Sequence, residues 1–441
     1  MNLDLTLAKS LAANGSLKLT QLAYREAGEY YEKAAKLLPS GNDEILADYL
    51  NEAGTAFYYA GLYKQSLSLH ERALVIREEI FDDEHPDVAL SLNGLALLHY
   101  SQGNYDQAKP LFERSLAIYE KVHGKEHPFV ATCLNNLAGL HRAQGHYDQA
   151  KPLFERSLAI YEKVHGKEHP LVATSLNNLA LLHQTQGNYD QAKPLHERSL
   201  AIREEILGKE HPDVAQSINN LAELHRAQDN YDQAKSLHEQ ALAIRKKVFG
   251  TEHPDVAKSL NNLAVLYQTL GNYEKSKSLF KQALTIFEKV YGPEHSSIVT
   301  NLNKLALLHY SQGNYDQAKP LYERALTIEN KFFDKDHPDV ATSLNNLASL
   351  YDSQGHYDQA KPLFERSLAI DEKVYGPNHP EVATDLNNLA GLHRAQGNYD
   401  QAKLLYERAI EIVNKFFKPN HPDVRLYTEN YNDLLSKMAE Q

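Results

Sequence analysis

Between His85 and Glu126 the apolar positions fall on two helical faces. Val88, Leu92, Leu95 and His99 recur at spacings of four, three and four, which places them on one side of a helix turning about 100° per residue. Pro86 suits the first turn of that helix, where its missing N–H costs nothing, and Asp87 meets the positive end of the helix dipole. Gly103 ends the helix, because a residue without Cβ closes the last turn in a left-handed conformation. Asn104 is the expected N-cap of a second helix, whose apolar positions Leu111, Leu116 and Ile118 lead to a stop at Gly124. Pro110 lies about one and a half turns inside this second helix, as do Pro152, Pro194, Pro320 and Pro362 in later copies. It should forfeit a hydrogen bond to Asp106 and bend the axis. The apolar period continues past it, which predicts one kinked helix rather than two short ones.

The helix pair recurs along the chain. His-Pro begins at His85, His127, His169, His211, His253, His337, His379 and His421, and His295, followed by Ser296, fills the missing step. The spacing is 42 residues throughout, with no insertion. A fixed period of this size means stacked supersecondary units, and units made only of helices make an all-α solenoid. Nine units occupy residues 43–420. Residues 1–42 read as a divergent N-terminal capping helix pair, and residues 421–441 as a C-terminal capping helix with Thr428 and Asn432 where leucine and alanine stood. No linker or change of composition divides the chain.

These residues carry a resemblance. Leu92, Leu95, Ala96, Gly103, Tyr105, Ala108, Phe112 and Ser115 stand at the signature spacing of the tetratricopeptide repeat. The 42-residue unit, with its HPDVA…LNNLA…GNYDQA…ER order, is similar to the repeats of kinesin light chains. The resemblance implies a right-handed superhelix, open and about one turn long, with the first helix of each pair on its concave side. It also implies a binding role. The heptad segment by which kinesin light chains join their motor is absent, so transport is not implied.

On the first helix of the unit at His127, the buried face holds Leu134, Leu137, Ala138 and His141. The opposite side holds Thr132, Asn136, Gly139 and Ala143, with Asn135 and Arg142 nearer the edge. Two adjacent asparagines mark most units. The first stands in all nine, from Asn51 to Asn387; the second is Asn136, Asn178, Asn220, Asn262, Asn346 or Asn388, replaced elsewhere by Glu52, Gly94 and Lys304. The second is the expected peptide-binding row, since an amide offers a donor and an acceptor together and so matches a peptide unit. Its position also resembles that of the asparagine ladder in the O-linked GlcNAc transferase superhelix. The alternative for both rows is that they tie neighbouring helices together. Arg142, Arg226, Arg394, Lys258 and Lys304 add positive charge to a face where Glu223, Asp352 and Asp385 are the main acids. That points to acidic peptide segments, against the alternative of ordinary solvated charges.

Composition narrows the function further. A formal charge of −12 argues against a nucleic-acid partner, which needs a basic face. One cysteine, Cys133, excludes an internal disulfide. No stretch approaches the roughly 20 apolar residues of a membrane span, and the first sixteen residues lack the apolar core of a secretion signal. A cytoplasmic protein is the expectation. The 22 histidines fall at repeat positions, and the expectation is that no pair has the i, i+4 spacing of a helical metal site. Phosphate loops and nucleophile motifs are missing. The expectation is therefore a non-catalytic scaffold or adaptor without cofactor or metal, favoured as a monomer, holding an extended protein segment in its groove. A self-assembling structural protein is the alternative, with Leu97, Leu181, Val265 and Leu307 and the pairs Phe332–Phe333 and Phe416–Phe417 as candidate contacts. A regulatory or substrate-recruiting subunit of a separate enzyme stands third.

Overall fold

The computed structural model describes residues 3–419 and 421–440. Among them the chain forms twenty-one α-helices, one short 3-10 turn and no strand. The pair α1 (Leu3–Thr20) and α2 (Tyr24–Lys36) comes first. Nine further pairs follow: α3 (Asp43–Tyr59) with α4 (Tyr63–Ile80), α5 (Pro86–Ser101) with α6 (Tyr105–His123), α7 (Pro128–Ala143) with α8 (Tyr147–His165), α9 (Pro170–Thr185) with α10 (Tyr189–Leu207), α11 (Pro212–Ala227) with α12 (Tyr231–Phe249), α13 (Pro254–Thr269) with α14 (Tyr273–Tyr291), α15 (Val299–Ser311) with α16 (Tyr315–Phe332), α17 (Pro338–Ser353) with α18 (Tyr357–Tyr375), and α19 (Pro380–Ala395) with α20 (Tyr399–Phe416). The helix α21 (Pro422–Ala439) closes the series. Two compact units divide the chain: the residues up to Leu140 with Pro152–Val164, and His141–Lys151 with the chain from His165 onward.

The His-Pro step starts each first helix in a way that the pattern alone half reveals. Proline takes the first helical position, and the histidine caps it with its ring. Nδ1 of His85 accepts the backbone N–H of Asp87 at 3.2 Å. His253 and His337 accept those of Asp255 and Asp339 at 3.1 and 3.0 Å. An accepting Nδ1 assigns the ring proton to Nε2. Most of these rings also stack on an aromatic residue four positions earlier, with 3.9 Å between centroids at Phe81–His85, Phe333–His337 and Phe417–His421. His295 still caps, through the N–H of Ser297 at 3.1 Å. With Ser296 in place of proline, its helix opens on the 3-10 turn Ser296–Ile298 before α15.

The expected cap at Asn104 is not made. The residue occupies the N-cap position, but its side chain accepts no hydrogen bond there, and the same holds at Asn188, Asn230, Asn314 and Asn398. Asn272 does reach the N–H of Lys275, at 3.3 Å. The tight turn before the helix explains the difference from expectation. Asn104 N–H donates to His99 O at 2.9 Å, Gly103 N–H donates to Tyr100 O at 3.1 Å, and Gly103 has φ 71°. This Schellman closure holds Asn104 at ψ 59°, outside the extended conformation from which a cap side chain usually reaches the first turn.

Small residues set the spacing within each pair. Ala96 and Ala108 are fully buried. Ser115 Oγ donates to Ala89 O at 2.8 Å, and Ser157, Ser199 and Ser367 repeat the bond to Ala131, Ala173 and Ala341. Phe112, Phe154, Phe280, Tyr322, Phe364 and Tyr406 fill the larger spaces and are almost wholly buried. Removing such a ring typically costs about 3–5 kcal/mol. The helices α6, α8, α10, α16 and α18 run unbroken past their internal prolines.

Candidate peptide-binding face

All six asparagines of the expected binding row, Asn136, Asn178, Asn220, Asn262, Asn346 and Asn388, are half-buried. Three of them bond to the first asparagine of the preceding unit. Asn136 Nδ2 donates to Asn93 Oδ1 at 2.9 Å, Asn220 to Asn177 at 2.6 Å, and Asn388 to Asn345 at 3.2 Å. Asn430 of α21 continues the ladder to Asn387 at 3.0 Å. The first asparagine has other ties as well: Asn51 and Asn219 meet the buried rings of His70 and His238 at 2.9 Å, and Asn303 donates to Ser343. Adjacent first helices are thus stitched through both rows.

The cations divide into two groups. Three are engaged by acids of the same chain: Arg226 with Glu223 at 2.9 Å, Lys258 with Asp255 at 2.9 Å, and Arg394 with Asp433. Arg142, near the end of α7, and Lys304, on α15, are half-buried. The structure brings Arg226, Glu223, His238 and Lys304 into one electrostatic cluster. Glu223 also lies 3.2 Å from His238 Nε2. Burial opposes its charge, but the hydrogen bonds from His238 and Arg226 outweigh that and hold its carboxyl below the usual range. Lys304 is pulled below the ordinary lysine range, chiefly by burial and further by Arg226, with Glu223 acting against both.

A second polar column escaped the sequence reading. One residue per unit, late in the second helix, alternates among Arg77, Arg203, Arg245, Glu329 and Asp371 where other units have Tyr119, Tyr161, Phe287 or Val413. The arginines join successive helices from the inside. Arg77 donates to Asp48 at 2.6 Å and to Ser91 Oγ at 2.7 Å; Arg245 donates to Gln216 at 2.7 Å and to Ser259 Oγ at 2.9 Å. Glu329 is fully buried, and burial pushes its carboxyl up to about 8, with the Ser343 hydroxyl pulling the other way. Burial also raises the neighbouring carboxyls of Asp371 and Asp385, where Asp385 Oδ1 lies 2.9 Å from Ser367 Oγ. The signal in the sequence was charge appearing in a column otherwise aromatic or aliphatic.

No metal centre accompanies these groups: among the described residues, none of the His, Cys, Asp and Glu side chains form a cluster of three able to hold an ion. Two histidine pairs do stand four residues apart, His123–His127 and His165–His169, separated by Gly124 and Gly166. Their rings stack at 4.4 and 4.3 Å.

A family model described as tetratricopeptide repeat matches residues 46–121, 87–163, 141–205, 171–247, 213–289, 255–331, 296–373 and 357–415. The chain belongs to the tetratricopeptide-repeat family. Among solved structures, this tetratricopeptide-repeat chain is similar to the putative kinesin light chain repeats of Podosopora anserina, at 32% identity over 47% of this chain and 98% of that one, with a TM-score of 0.40. It is similar to BtubC (BKLC) from P. vanneervenii at 24% identity, over 54% and 92% of the two chains, with a TM-score of 0.41. A Rap protein complexed with competence and sporulation factor is 15% identical over 80% and 99%, with a TM-score of 0.48. No curated protein sequence matches the chain.

Proposed function

We propose that this tetratricopeptide-repeat chain is a non-catalytic scaffold that holds an extended, acidic segment of a partner protein against its first helices. The observation behind this reading is the oriented amide row. Asn136, Asn220 and Asn388 each spend one N–H on the preceding unit, which fixes the amide and leaves its second N–H for a ligand. An extended segment advances about 3.3 Å per residue, so each unit would meet two or three residues. Each bond nets about 1 kcal/mol, and after the cost of ordering the segment the affinity is about micromolar. Lys304 and Arg142 are the favoured partners for acidic side chains, because Arg226, Lys258 and Arg394 already face carboxylates of the chain itself.

A pull-down with the intact chain and mass spectrometry identifies the partner, from which a synthetic peptide is made. Asn178→Ala with Asn220→Ala is expected to weaken that peptide about tenfold, whatever its charge, and to lower the melting temperature slightly through the lost Asn177 bond. Lys304→Ala with Arg142→Ala is expected to weaken acidic peptides selectively and to flatten the salt dependence. A double asparagine variant that melts lower yet keeps its affinity would make the row structural and sink this mechanism. Exposure of Leu97 and Leu307 favours self-assembly as a second reading, which a light-scattering mass above that of one chain would support.

A further inference from the structure

Within the second compact unit the chain meets itself at two places far apart in sequence. Gly145 lies against the connection ahead of α19: a Cβ built on it would fall 2.9 Å from His379 Cδ2 and 3.2 Å from Phe416 Cε1. Beside it the ring of Tyr147 packs edge-on against Phe416, with centroids 5.9 Å apart and planes at 82°. Tyr147 and His379 are both buried. One repeat later the contact recurs, since a Cβ on Gly187 would fall 3.3 Å from His421 Cδ2. Tyr189 in the same turn senses the charge of Asp423. Both glycine–histidine pairs are separated by the same 234 residues, between five and six repeats. A cleft with Asp148 and Gln186 on one side and Lys415 and Phe416 on the other runs along the seam.

The equivalent turns elsewhere provide the contrast. Gly271, Gly313, Gly355 and Gly397 share the left-handed backbone, at φ 72°, 73°, 76° and 78°, and a Cβ on any of them would meet nothing within 4 Å. Glycine is used in all these turns for its conformation. At Gly145 and Gly187 the bare backbone has a second use, because it lets a flat histidine come close. Those histidines are held rigid by their cap bonds to Glu381 and Asp423 and by stacking on Tyr375 and Phe417.

We propose that the turns at Gly145 and Gly187 form a self-latch with the connections at His379 and His421, and that this latch restricts entry to the first-helix face of the second unit. The proposal rests on the binding reading only for what is gated; the latch is tested without any partner. Gly145→Ala with Gly187→Ala should open it. Gly313→Ala with Gly355→Ala carries the same backbone strain and leaves the seam intact. In each background Asn262→Cys supplies a reactive thiol on the first-helix face, while the native Cys133 is buried and its thiol is pushed up to about 11. The readout is the labelling rate with a large polyethylene glycol maleimide relative to N-ethylmaleimide. The large reagent is expected to gain at least tenfold in the latch variant and to stay unchanged in the control. Equal ratios in the two variants would overturn the gating. Hydrogen exchange on the unaltered chain keeps the test independent of variant folding: the backbone at 143–149 should exchange more slowly than the turns at Gly313 and Gly355. Equal exchange there would overturn the latch itself.

Discussion

Among single residues, the least expected feature is ionisable groups in the interior between repeats. Glu329 has its carboxyl raised to about 8, and burial raises Asp371 and Asp385 in the same direction. An acid whose folded pKa exceeds its unfolded one holds its proton longer in the folded chain. The stability it contributes is complete below about pH 4 and is lost as pH rises through the folded value. Histidines pull the other way. Burial lowers His70, His196 and His379 to about 4; Arg77 adds to the effect at His70, and a backbone hydrogen bond opposes it at His379. The stability they contribute is complete above about pH 6.5 and is lost as pH falls toward 4. Between about pH 6.5 and 8 the carboxyls therefore dominate, and the melting temperature is expected to fall across that window. Glu329→Gln with Asp371→Asn should flatten the slope in thermal melts, and an unchanged slope would count against the buried carboxyls as its source.

Among elements, most repeats close the first helix at both ends, with a cap at the start and a turn at the finish. The His-Pro cap satisfies a first-turn N–H through an imidazole, and the Schellman turn satisfies the carbonyls at the other end. Substituting a cap usually costs about 1 kcal/mol, so His253→Ala should lower stability by about that much in urea titrations. The internal prolines run against this economy. Pro362 lies inside α18 without breaking it, and it forgoes one backbone bond. Pro362→Ala is expected to stabilise the chain by about 1–2 kcal/mol, the helix gain being offset in part by a freer unfolded state. Unfolding that comes easier in Pro362→Ala would mean that proline at this position is needed for packing.

Across the molecule, stacked repeats make stability close to a sum of unit and interface terms. Denaturation is therefore expected to be broad, with α1, α2 and α21 exchanging their amides before the central pairs. Uniform exchange along the chain would contradict this. No described helix is long and apolar enough to cross a membrane. Removing metal with a chelator should leave the melting curve unchanged, since the histidines are occupied by caps, stacking and core contacts.

Local spacing is enough for the helix pairs, their 42-residue period and the family, because each can be read from near neighbours: Leu92 with Leu95, Pro86 after His85, Gly103 before Asn104. It also locates the two asparagine rows. It does not tell which amides bond across repeats, nor that Asn104 leaves its cap unmade, since both depend on backbone angles a motif does not specify. The buried role of Glu329 and Asp371 and the seam at Gly145 emerge only once the helices are packed. Residues 234 apart meet there, a separation that no local pattern encodes. The same glycine turn and His-Pro step occur in nearly every unit, so nothing local distinguishes the copies that meet from those that do not.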